Sequence, residues 1–306
     1  MTDGFALEGR VAVVTGATGG MGHVIAGELA GAGAHVVTIA RDPRGAEALA
    51  CHIASQPGPG RLTVVTGDLS LRAGVSGAAR AVLDEHPAVH LLINNAGAHF
   101  GEHRLSADGV EMHIAVDYLA AYGLTSLLRG ALERGRARVV TVASDTFRDT
   151  RQLSLIGPAR PVTLDPDQID DLTRLNPRGG FVPFEAYARA KLLTVIAGKG
   201  FARSLAPAGV TVTAVHPGIV ATGIIDDLIP RVLRPFRSLI RRAMLTPEQG
   251  AAAALRLAVD PALAGVTGRY FVRDVETLTA AVTHDPAVQQ RLARATDLFL
   301  AAGSTA

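Results

Sequence analysis

Two amino acids far along the 306-residue chain have types and a spacing that could transfer a proton. Tyr187 and Lys191 are four residues apart, so on a helix they share one face, and the ammonium would favour the phenolate. A phenol that ordinarily titrates near pH ~10 becomes a usable acid or base at neutral pH in this way. The pair therefore predicts general acid or base chemistry on a bound substrate.

The lysine of this pair is unusual for the chain. Of the 30 basic residues only Lys191 and Lys199 are lysines, so arginine is used wherever a positive charge is sufficient. With so few tyrosines and lysines, a Tyr-x-x-x-Lys spacing arises by chance with a probability of roughly 3%. The spacing favours a functional pair over a surface tyrosine and lysine on an ordinary helix.

A glycine-rich turn near the N-terminus could hold a phosphate. The apolar run over residues 7–14 predicts a buried parallel strand, and the pattern over residues 24–30 predicts a helix. Between them, Gly16, Gly20 and Gly22 let the backbone turn sharply with its N–H groups facing an anion, so pyrophosphate is the expected ligand. Glycine that serves packing alone is the alternative.

Strand and helix patterns alternate along the chain and would bring these residues together. Further strand-like runs cover residues 35–40, 62–65, 89–93 and 138–142. Parallel strands joined by helices end at one edge of a sheet, where such folds bind ligands. The pattern predicts an α/β fold, a single Rossmann-type doubly wound parallel sheet with helices on both faces. Such a sheet can accommodate the full length, so we expect one domain over residues 1–306.

Arginine follows the second predicted strand, where a dinucleotide fold meets the adenosine ribose. An acid there would bind a free 2′-hydroxyl, whereas the guanidinium of Arg41, with Arg44 nearby, suits a 2′-phosphate. This favours NADP over NAD, although Asp42 weakens the preference and a solvated arginine is the alternative. Asp68, after the third strand, is either an acceptor for the adenine amine or the N-cap of the next helix.

In their order along the chain, the motifs resemble those of the short-chain dehydrogenase/reductase family over nearly the whole length. The motifs are Thr15-Gly16-x-x-x-Gly20-x-Gly22, Asp68-Leu69, Asn94-Asn95-Ala96-Gly97, Ser144, Tyr187-x-x-x-Lys191 and Pro217-Gly218. Further segments are similar to the retinol-dehydrogenase-like branch of that family. They are Ala40-Arg41-Asp42, Asp108-Gly109-Val110-Glu111, Pro247-Glu248-Gln249-Gly250-Ala251 and Gly268-Arg269-Tyr270-Phe271.

The resemblance implies an oxidoreductase that interconverts a carbonyl and an alcohol on a small, fairly apolar molecule, with NADP as cofactor and NAD as the alternative. Ser144 would hydrogen-bond the substrate oxygen beside Tyr187, the general acid/base, and Lys191 would also bind the nicotinamide ribose. The residues implied to bind the cofactor are Gly16, Thr18, Gly19, Gly20, Met21, Gly22, Arg41, Asp68, Leu69, Asn95, Ala96, Gly97, Tyr187, Lys191, Pro217, Gly218 and Val220.

One catalytic position departs from the family pattern. Asp117 stands where the family usually has an asparagine that supports a helix kink and a water site. Aspartate is nearly isosteric and would keep the kink, but its charge would offset the positive charge of Lys191. This leaves open a non-redox enzyme on the same scaffold, a cyclase, dehydratase or epimerase, with Tyr187 and Asp117 in acid–base roles.

Residues 145–186 form a second departure, because most family members place fewer residues between the serine and the tyrosine. Asp165-Pro166-Asp167-Gln168 predicts the start of a short helix, whose apolar side would carry Ile169, Leu172 and Leu175. Phe181 and Phe184 would place aromatic surface near the substrate, and a peripheral excursion is the alternative. Residues 219–245 correspond to the substrate lid of the family, with a basic helix on a membrane surface as the alternative.

Composition limits the partners. The net charge of +2 without aromatic-basic clusters argues against a nucleic-acid partner, and no apolar run is long enough for an integral membrane segment. We expect a small-molecule substrate, a cytoplasmic location and no metal, with a homo-oligomer left open. His99 and His103 are the best-spaced histidine pair, and a loop facing the substrate suits them better than a metal site.

Overall fold

The computed structural model describes residues 6–55, 58, 60–150, 159–221, 242 and 244–302. The strands in this part of the chain are β1 (Val11–Thr15), β2 (His35–Ala40), β3 (Arg61–Thr66), β4 (Leu91–Asn94), β5 (Arg138–Val142), β6 (Thr211–His216), β7 (Tyr270–Val272) and β8 (Val275–Glu276). They form one eight-stranded sheet in the order β3-β2-β1-β4-β5-β6-β7-β8.

The sheet is parallel from β3 to β7, and β8 pairs with β7 in the antiparallel direction. The order changes direction between β1 and β4, and in open α/β sheets ligands bind at the carboxyl ends of the strands on either side of such a switch point. The predicted α/β fold is confirmed. Strands β6, β7 and β8 were not among the predicted strands, and the two exposed residues of β8 carry no alternating pattern.

The first strand begins four residues later than the apolar run. Within residues 7–10 the Arg10 N–H donates to the Leu7 carbonyl at 2.9 Å, which forms a turn. The Leu7 N–H donates instead to Ala32, at the end of the following helix. Strand β1 therefore begins at Val11. It ends at Thr15, whose polar side chain lies at the carboxyl end of the strand.

Helices cover both faces of the sheet. Those among the described residues are α1 (Gly20–Gly31), α2 (Glu47–Ala54), α3 (Arg72–Glu85), α4 (Ala120–Leu127), α5 (Arg129–Gly135), α6 (Pro183–Leu205), α7 (Pro247–Val259) and α8 (Pro286–Ala301). Alternate residues of β1 point to opposite faces. Ala12 and Val14 pack with buried side chains of α1 and α7, whereas Val13 packs with those of α3 and α4.

The short helix expected after Gln168 is absent from the described residues, and that prediction is wrong. Single 3-10 turns cover Pro166–Gln168 and Leu172–Arg174 instead. The Asp171 carboxylate accepts from the Thr173 N–H, and Asn176 adopts a positive φ of 56°, so the backbone turns before a helix can extend. The predicted burial is nevertheless correct for all three apolar side chains, Ile169, Leu172 and Leu175.

The predicted lid over residues 219–245 lies mostly outside the described residues, which resume at 242 and 244. At its two ends, Leu245 and Ile219 are joined by a backbone hydrogen bond of 2.9 Å. Across the part of the chain that the structure describes, the helices are too short or too polar to cross a membrane.

Candidate active site

Glycine is required in the turn between β1 and α1. Gly16 has a φ of +68°, and a Cβ there would lie 2.9 Å from the Ala96 Cα. A Cβ at Gly22 would lie 2.1 Å from the Gly16 carbonyl oxygen. Larger residues at these positions would force the backbones apart. The turn therefore places the N-terminus of α1 close to the carboxyl ends of β1 and β4.

Two polar side chains hold this turn against the end of β4. The Thr15 hydroxyl accepts from the Asn95 and Ala96 N–H groups at 3.0 and 2.9 Å. The Asn95 amide donates to the carbonyls of Thr15 and Gly16 at 3.0 and 3.3 Å. Asn95 thus has a structural role in addition to its predicted cofactor contact. Thr15 also holds the turn in place, although it was not among the predicted site residues.

A cavity of about 590 Å³ opens in front of the turn. Eleven of the residues predicted to bind a cofactor line it, namely Gly16, Thr18, Gly19, Gly20, Met21, Arg41, Asp68, Leu69, Asn95, Ala96 and Gly97. A Cβ on Gly19 would meet no heavy atom within 4 Å, so the space before the start of α1 is open. An open space at a helix N-terminus suits a phosphate group, so the lining fits a dinucleotide.

Arg41 and Arg44 have different environments. Arg41 is exposed at the end of β2 and lines the cavity. Arg44 forms an ion pair of 2.8 Å with Asp42, and its hydrogen bond lowers the pKa of that carboxyl group. Arg41 is consequently the better candidate for a 2′-phosphate, and Arg44 compensates the charge of Asp42.

Asp68 lines the cavity, but it does not cap the next helix. Its Oδ1 accepts from the N–H and the hydroxyl of Ser70 at 2.9 and 2.8 Å. Helix α3 begins at Arg72, with Leu71 in the N-cap position. The N-cap alternative for Asp68 is therefore wrong, because the side chain closes the turn before the helix instead.

Helix α6 places Tyr187 and Lys191 on one face, where they meet Asp117. The Lys191 Nζ lies 3.1 Å from the Asp117 Oδ1 and donates to the Val142 carbonyl at 3.2 Å. It also lies 5.5 Å from the centre of the Tyr187 ring. A Cβ on Gly97 would lie 3.1 Å from the same Nζ, so the pair stands directly behind the cavity wall.

The Asp117 carboxylate is fully enclosed. Its Oδ1 also accepts from the Ala98 N–H at 3.1 Å, while its Oδ2 has no hydrogen-bond partner among the described residues. Burial raises the pKa of Asp117, although Lys191 and His113 lower it. Burial opposes the charge of Lys191 as well, but the neighbouring Asp117 outweighs that effect and leaves the pKa of the ammonium raised.

The backbone around Asp117 is π-helical over Ile114–Leu119. A π-helical turn widens the helix and frequently occurs at functional sites. The Thr194 hydroxyl, from α6, donates to the Asp117 carbonyl oxygen at 2.9 Å. The expected distortion at this position is therefore present, and a side chain contacts the carbonyl.

Tyr187 is buried, and its surroundings have opposing effects on its ionisation. Burial raises the pKa of the phenol, the Lys191 ammonium and a hydrogen bond with Ser144 lower it, and the Asp117 carboxylate raises it again. The net direction is upward. The protonated phenol is therefore the resting form at neutral pH, which suits an acid more directly than a base.

Several predicted residues lie outside the cavity lining. Val220 is buried, and Met21 lies beside it, because a Cβ on Gly250 of α7 would contact both side chains. Gly218 has a φ of +97°. Pro217, Gly218 and Val220 thus lead from β6 towards the first turn of α1. Gly22 lies behind the turn, and Ser144, Asp117, Tyr187 and Lys191 stand beside the cavity.

Four polar residues next to Tyr187 were not among the predicted site residues. They are Glu111, His113, Asn176 and Arg189, and they are joined in a chain of hydrogen bonds. The first three of these side chains are buried. The available signals were Glu111, at the end of a segment cited above only for the resemblance, and His113, in the same largely apolar helical stretch as Asp117. His99 lines the cavity, whereas the ring of His103 contacts Phe181.

Comparisons with known proteins agree with this geometry. A family model described as short chain dehydrogenase matches residues 10–153. A probable oxidoreductase of Streptomyces antibioticus is 35% identical, over 89% of this chain and 88% of that protein. Retinol dehydrogenase 14 of Mus musculus is 32% identical, over 87% and 78%. A Beutenbergia cavernae protein solved with NADP at low occupancy is 29% identical, over 88% and 97%, with a TM-score of 0.64.

Proposed function

The chain belongs to the short-chain dehydrogenase/reductase family, in its retinol-dehydrogenase-like branch, and we propose that it interconverts a carbonyl and an alcohol with NADP(H). Its substrate in this proposal is a small, fairly apolar molecule. The observation that carries the proposal is the meeting of Tyr187, Lys191 and Ser144 beside a glycine-lined cavity. The relative named retinol dehydrogenase is named after a lipophilic alcohol, which agrees with an apolar substrate.

In this mechanism the residues of the chain position the substrate oxygen and transfer its proton. A bound nicotinamide would supply or accept the hydride at the substrate carbon. The Ser144 hydroxyl would hold the oxygen beside the Tyr187 phenol. In reduction the phenol donates its proton to that oxygen, and in oxidation the phenolate removes it. Lys191 stabilises the phenolate electrostatically, while Asp117 limits this effect.

The preference for NADP rests on Arg41. Its guanidinium stands at the end of β2 on the cavity lining, where a planar donor suits a 2′-phosphate. Asp42 is the nearby carboxylate that would oppose such a phosphate, and Arg44 compensates its charge. The NADP of the Beutenbergia cavernae protein supports the same preference.

We also propose that the described part of segment 145–186 forms one wall of the substrate site. The Phe181 ring stacks on His113 with centres 6.3 Å apart, and His113 lies 6.0 Å from the Tyr187 ring. This contact supports an inward position for the segment rather than a peripheral excursion. The relatives reported above are named as dehydrogenases or oxidoreductases, so they do not favour the non-redox alternative.

The decisive experiment follows nicotinamide absorbance while NADPH or NADH is mixed with a panel of lipophilic aldehydes and ketones. We expect turnover with NADPH and a lower kcat/KM with NADH. Replacement of Tyr187 by phenylalanine removes only the reacting hydroxyl, so Tyr187→Phe should lower kcat/KM by roughly 10²–10⁴-fold.

Tyr122→Phe is the matched control. The Tyr122 hydroxyl donates to Asp297 of α8 at 2.9 Å, and it takes no part in the mechanism. This variant should keep kcat/KM within about twofold of the wild type. Full activity in Tyr187→Phe would exclude the mechanism, and faster turnover with NADH would exclude the cofactor preference.

A further inference from the structure

A buried chain of hydrogen bonds runs from the loop after β4 to helix α6. At one end the Phe100 N–H donates to the His113 Nε2 at 3.0 Å, and the His113 Nδ1 lies 2.9 Å from the Glu111 Oε1. At the other end the Arg189 guanidinium donates to the Asn176 Oδ1, and the Asn176 amide donates to the Glu111 Oε2 at 2.8 Å.

The two ends determine the polarity of every group between them. A backbone N–H and a guanidinium can only donate, so His113 must accept through Nε2 and Asn176 must accept through Oδ1. Each of the two side chains is then left with a donor that points at Glu111. Only an ionised carboxylate accepts from both sides, because an amide or a protonated acid would set one donor against another.

The burial of this chain makes a mismatch costly. Glu111 and His113 are fully buried, and Asn176 is 2% exposed. Burial opposes ionisation of Glu111, but the hydrogen bonds from His113 and Asn176, together with the nearby His113, outweigh it and lower the pKa of the carboxyl group. Arg189, which is half-buried, ends the chain of hydrogen bonds with a positive charge that offsets the buried negative one.

The chain contacts the backbone on both sides of the catalytic tyrosine. The Asn176 amide also donates to the Ala186 carbonyl at 3.2 Å, one residue before Tyr187, and Arg189 follows two residues after it. The His113 ring meets the Tyr187 ring edge-on at 6.0 Å. Through Phe100 the chain also holds the loop that lines the cavity.

We propose that Glu111, as the doubly accepting carboxylate of this chain, is a positioning residue that sets the place of Tyr187 relative to the cavity. His113 and Asn176 transmit its effect, to the loop after β4 and to the first turns of α6 respectively. The inference rests on the proposed carbonyl reductase activity. A displacement of about 1 Å in a reacting group can cost up to ~10²-fold in rate, so the effect is measurable.

The first test exchanges polarity along the chain. Glu111→Gln leaves a donor opposite a donor and should lower kcat by roughly 10- to 100-fold, with the dissociation constant for NADPH little changed. Asn176→Asp places two carboxylates together and removes the donor to the Ala186 carbonyl, so this variant should also be impaired.

A second pair of variants covers the case in which Glu111→Gln does not fold. A glutamine at position 113 can accept from the Phe100 N–H and donate to Glu111, as His113 does, whereas methionine can do neither. His113→Gln should therefore keep a kcat at least tenfold above that of His113→Met. Equal kcat values for this pair or an unchanged kcat in Glu111→Gln would overturn the proposal.

Nitrogen-15 NMR of the imidazoles in the wild-type protein gives a readout that does not depend on turnover. The His113 signal, assigned from its loss in His113→Gln, should be that of a neutral ring protonated at Nδ1. A ring protonated at Nε2 would contradict the chain whatever the kinetics show. Loss of wild-type turnover in Tyr187→Phe, measured in the same assay, establishes the reaction first, so its failure is distinguished from failure of the positioning role.

Discussion

Among single residues, Asp117 decides how strongly Lys191 can favour the phenolate. Its Oδ1 accepts from the Lys191 ammonium and from the Ala98 N–H, and we expect it to be ionised because the ammonium lies only 3.1 Å away. Asp117→Asn keeps an oxygen for these donors and removes the charge. Since the carboxylate raises the pKa of Tyr187, the variant should lower that pKa.

The lowered pKa of Tyr187 should shift both pH profiles in the same direction, with opposite effects on the rates of reduction and oxidation. Reduction needs the protonated phenol, so the alkaline decline of kcat should move to lower pH in Asp117→Asn. Oxidation needs the phenolate, so its rise with pH should also move to lower pH. The measurement is kcat against pH in both directions, with thermal unfolding as a check on folding. Superimposable profiles would mean that Asp117 carries no charge in the working enzyme.

The residues of the candidate site differ in how far the sequence could predict them. Tyr187 and Lys191 were predictable because their spacing on one helix is local. The chain through Glu111 and Asn176 was not, because these partners are 65 positions apart and no periodic pattern links them. Contacts of this kind depend on how the elements pack, which a single sequence does not encode locally.

Among the elements, the turn between β1 and α1 depends most directly on particular residues. Gly22→Ala would place a methyl group 2.1 Å from the Gly16 carbonyl oxygen and 2.5 Å from the Asn95 amide. The overlap with the backbone should lower the free energy of unfolding by about 1–3 kcal/mol, despite the higher helix propensity of alanine. The NADPH site should weaken at the same time.

Gly19→Ala serves as the control for this element. A Cβ at Gly19 would have no heavy atom within 4 Å, and its φ of −174° is extended backbone that any residue adopts. Thermal and urea unfolding should therefore show a loss for Gly22→Ala and none for Gly19→Ala. Equal stability in the two variants would show that the close contact with Gly16 relaxes without cost.

Elements without such a local signal were predicted less well. The motif before Ile169 resembles a helix start, yet the chain forms single turns, because the Asp171 carboxylate accepts from the Thr173 N–H and Asn176 adopts a positive φ. The apolar spacing still predicted which side chains are buried. The π-helical turn at Ile114–Leu119 involves a contact with Thr194, 77 positions away from Asp117, and no pattern in the helix itself predicts it.

At the scale of the whole molecule, the architecture was the most predictable feature. Buried parallel strands are continuous apolar runs, and alternation with helices leaves few other topologies. The strand ends therefore had to converge where the motifs lie. Long-range packing also brings histidines together near the amino ends of the strands. The ring centres of His35 and His86 lie 4.7 Å apart, and the His90 ring accepts a hydrogen bond from Val11 at the start of β1.

These histidines predict that acid destabilises the protein. Burial lowers the pKa of His90, and the nearby Arg10 lowers it further. The pKa of His35 is lowered by burial, then by His86 and Arg61, although Glu85 raises it. A lowered pKa in the folded state means that folding favours the neutral ring. The stability from these groups is therefore complete above their ordinary value of 6.5 and is lost as pH falls below it.

His90 allows this acid sensitivity to be tested at one hydrogen bond. Its Nδ1 accepts from the Val11 N–H at 3.0 Å, and a proton on that nitrogen would set two donors against each other at the start of β1. We expect the unfolding midpoint of the wild type to fall by a few degrees between pH 7.5 and 5.5, a window above the ordinary titration of carboxylates. In His90→Asn an amide oxygen can accept from Val11 at every pH, so the midpoint should fall less. A variant whose midpoint falls as steeply as that of the wild type would assign the acid sensitivity to the other histidines, because His90 would then remain neutral throughout this range.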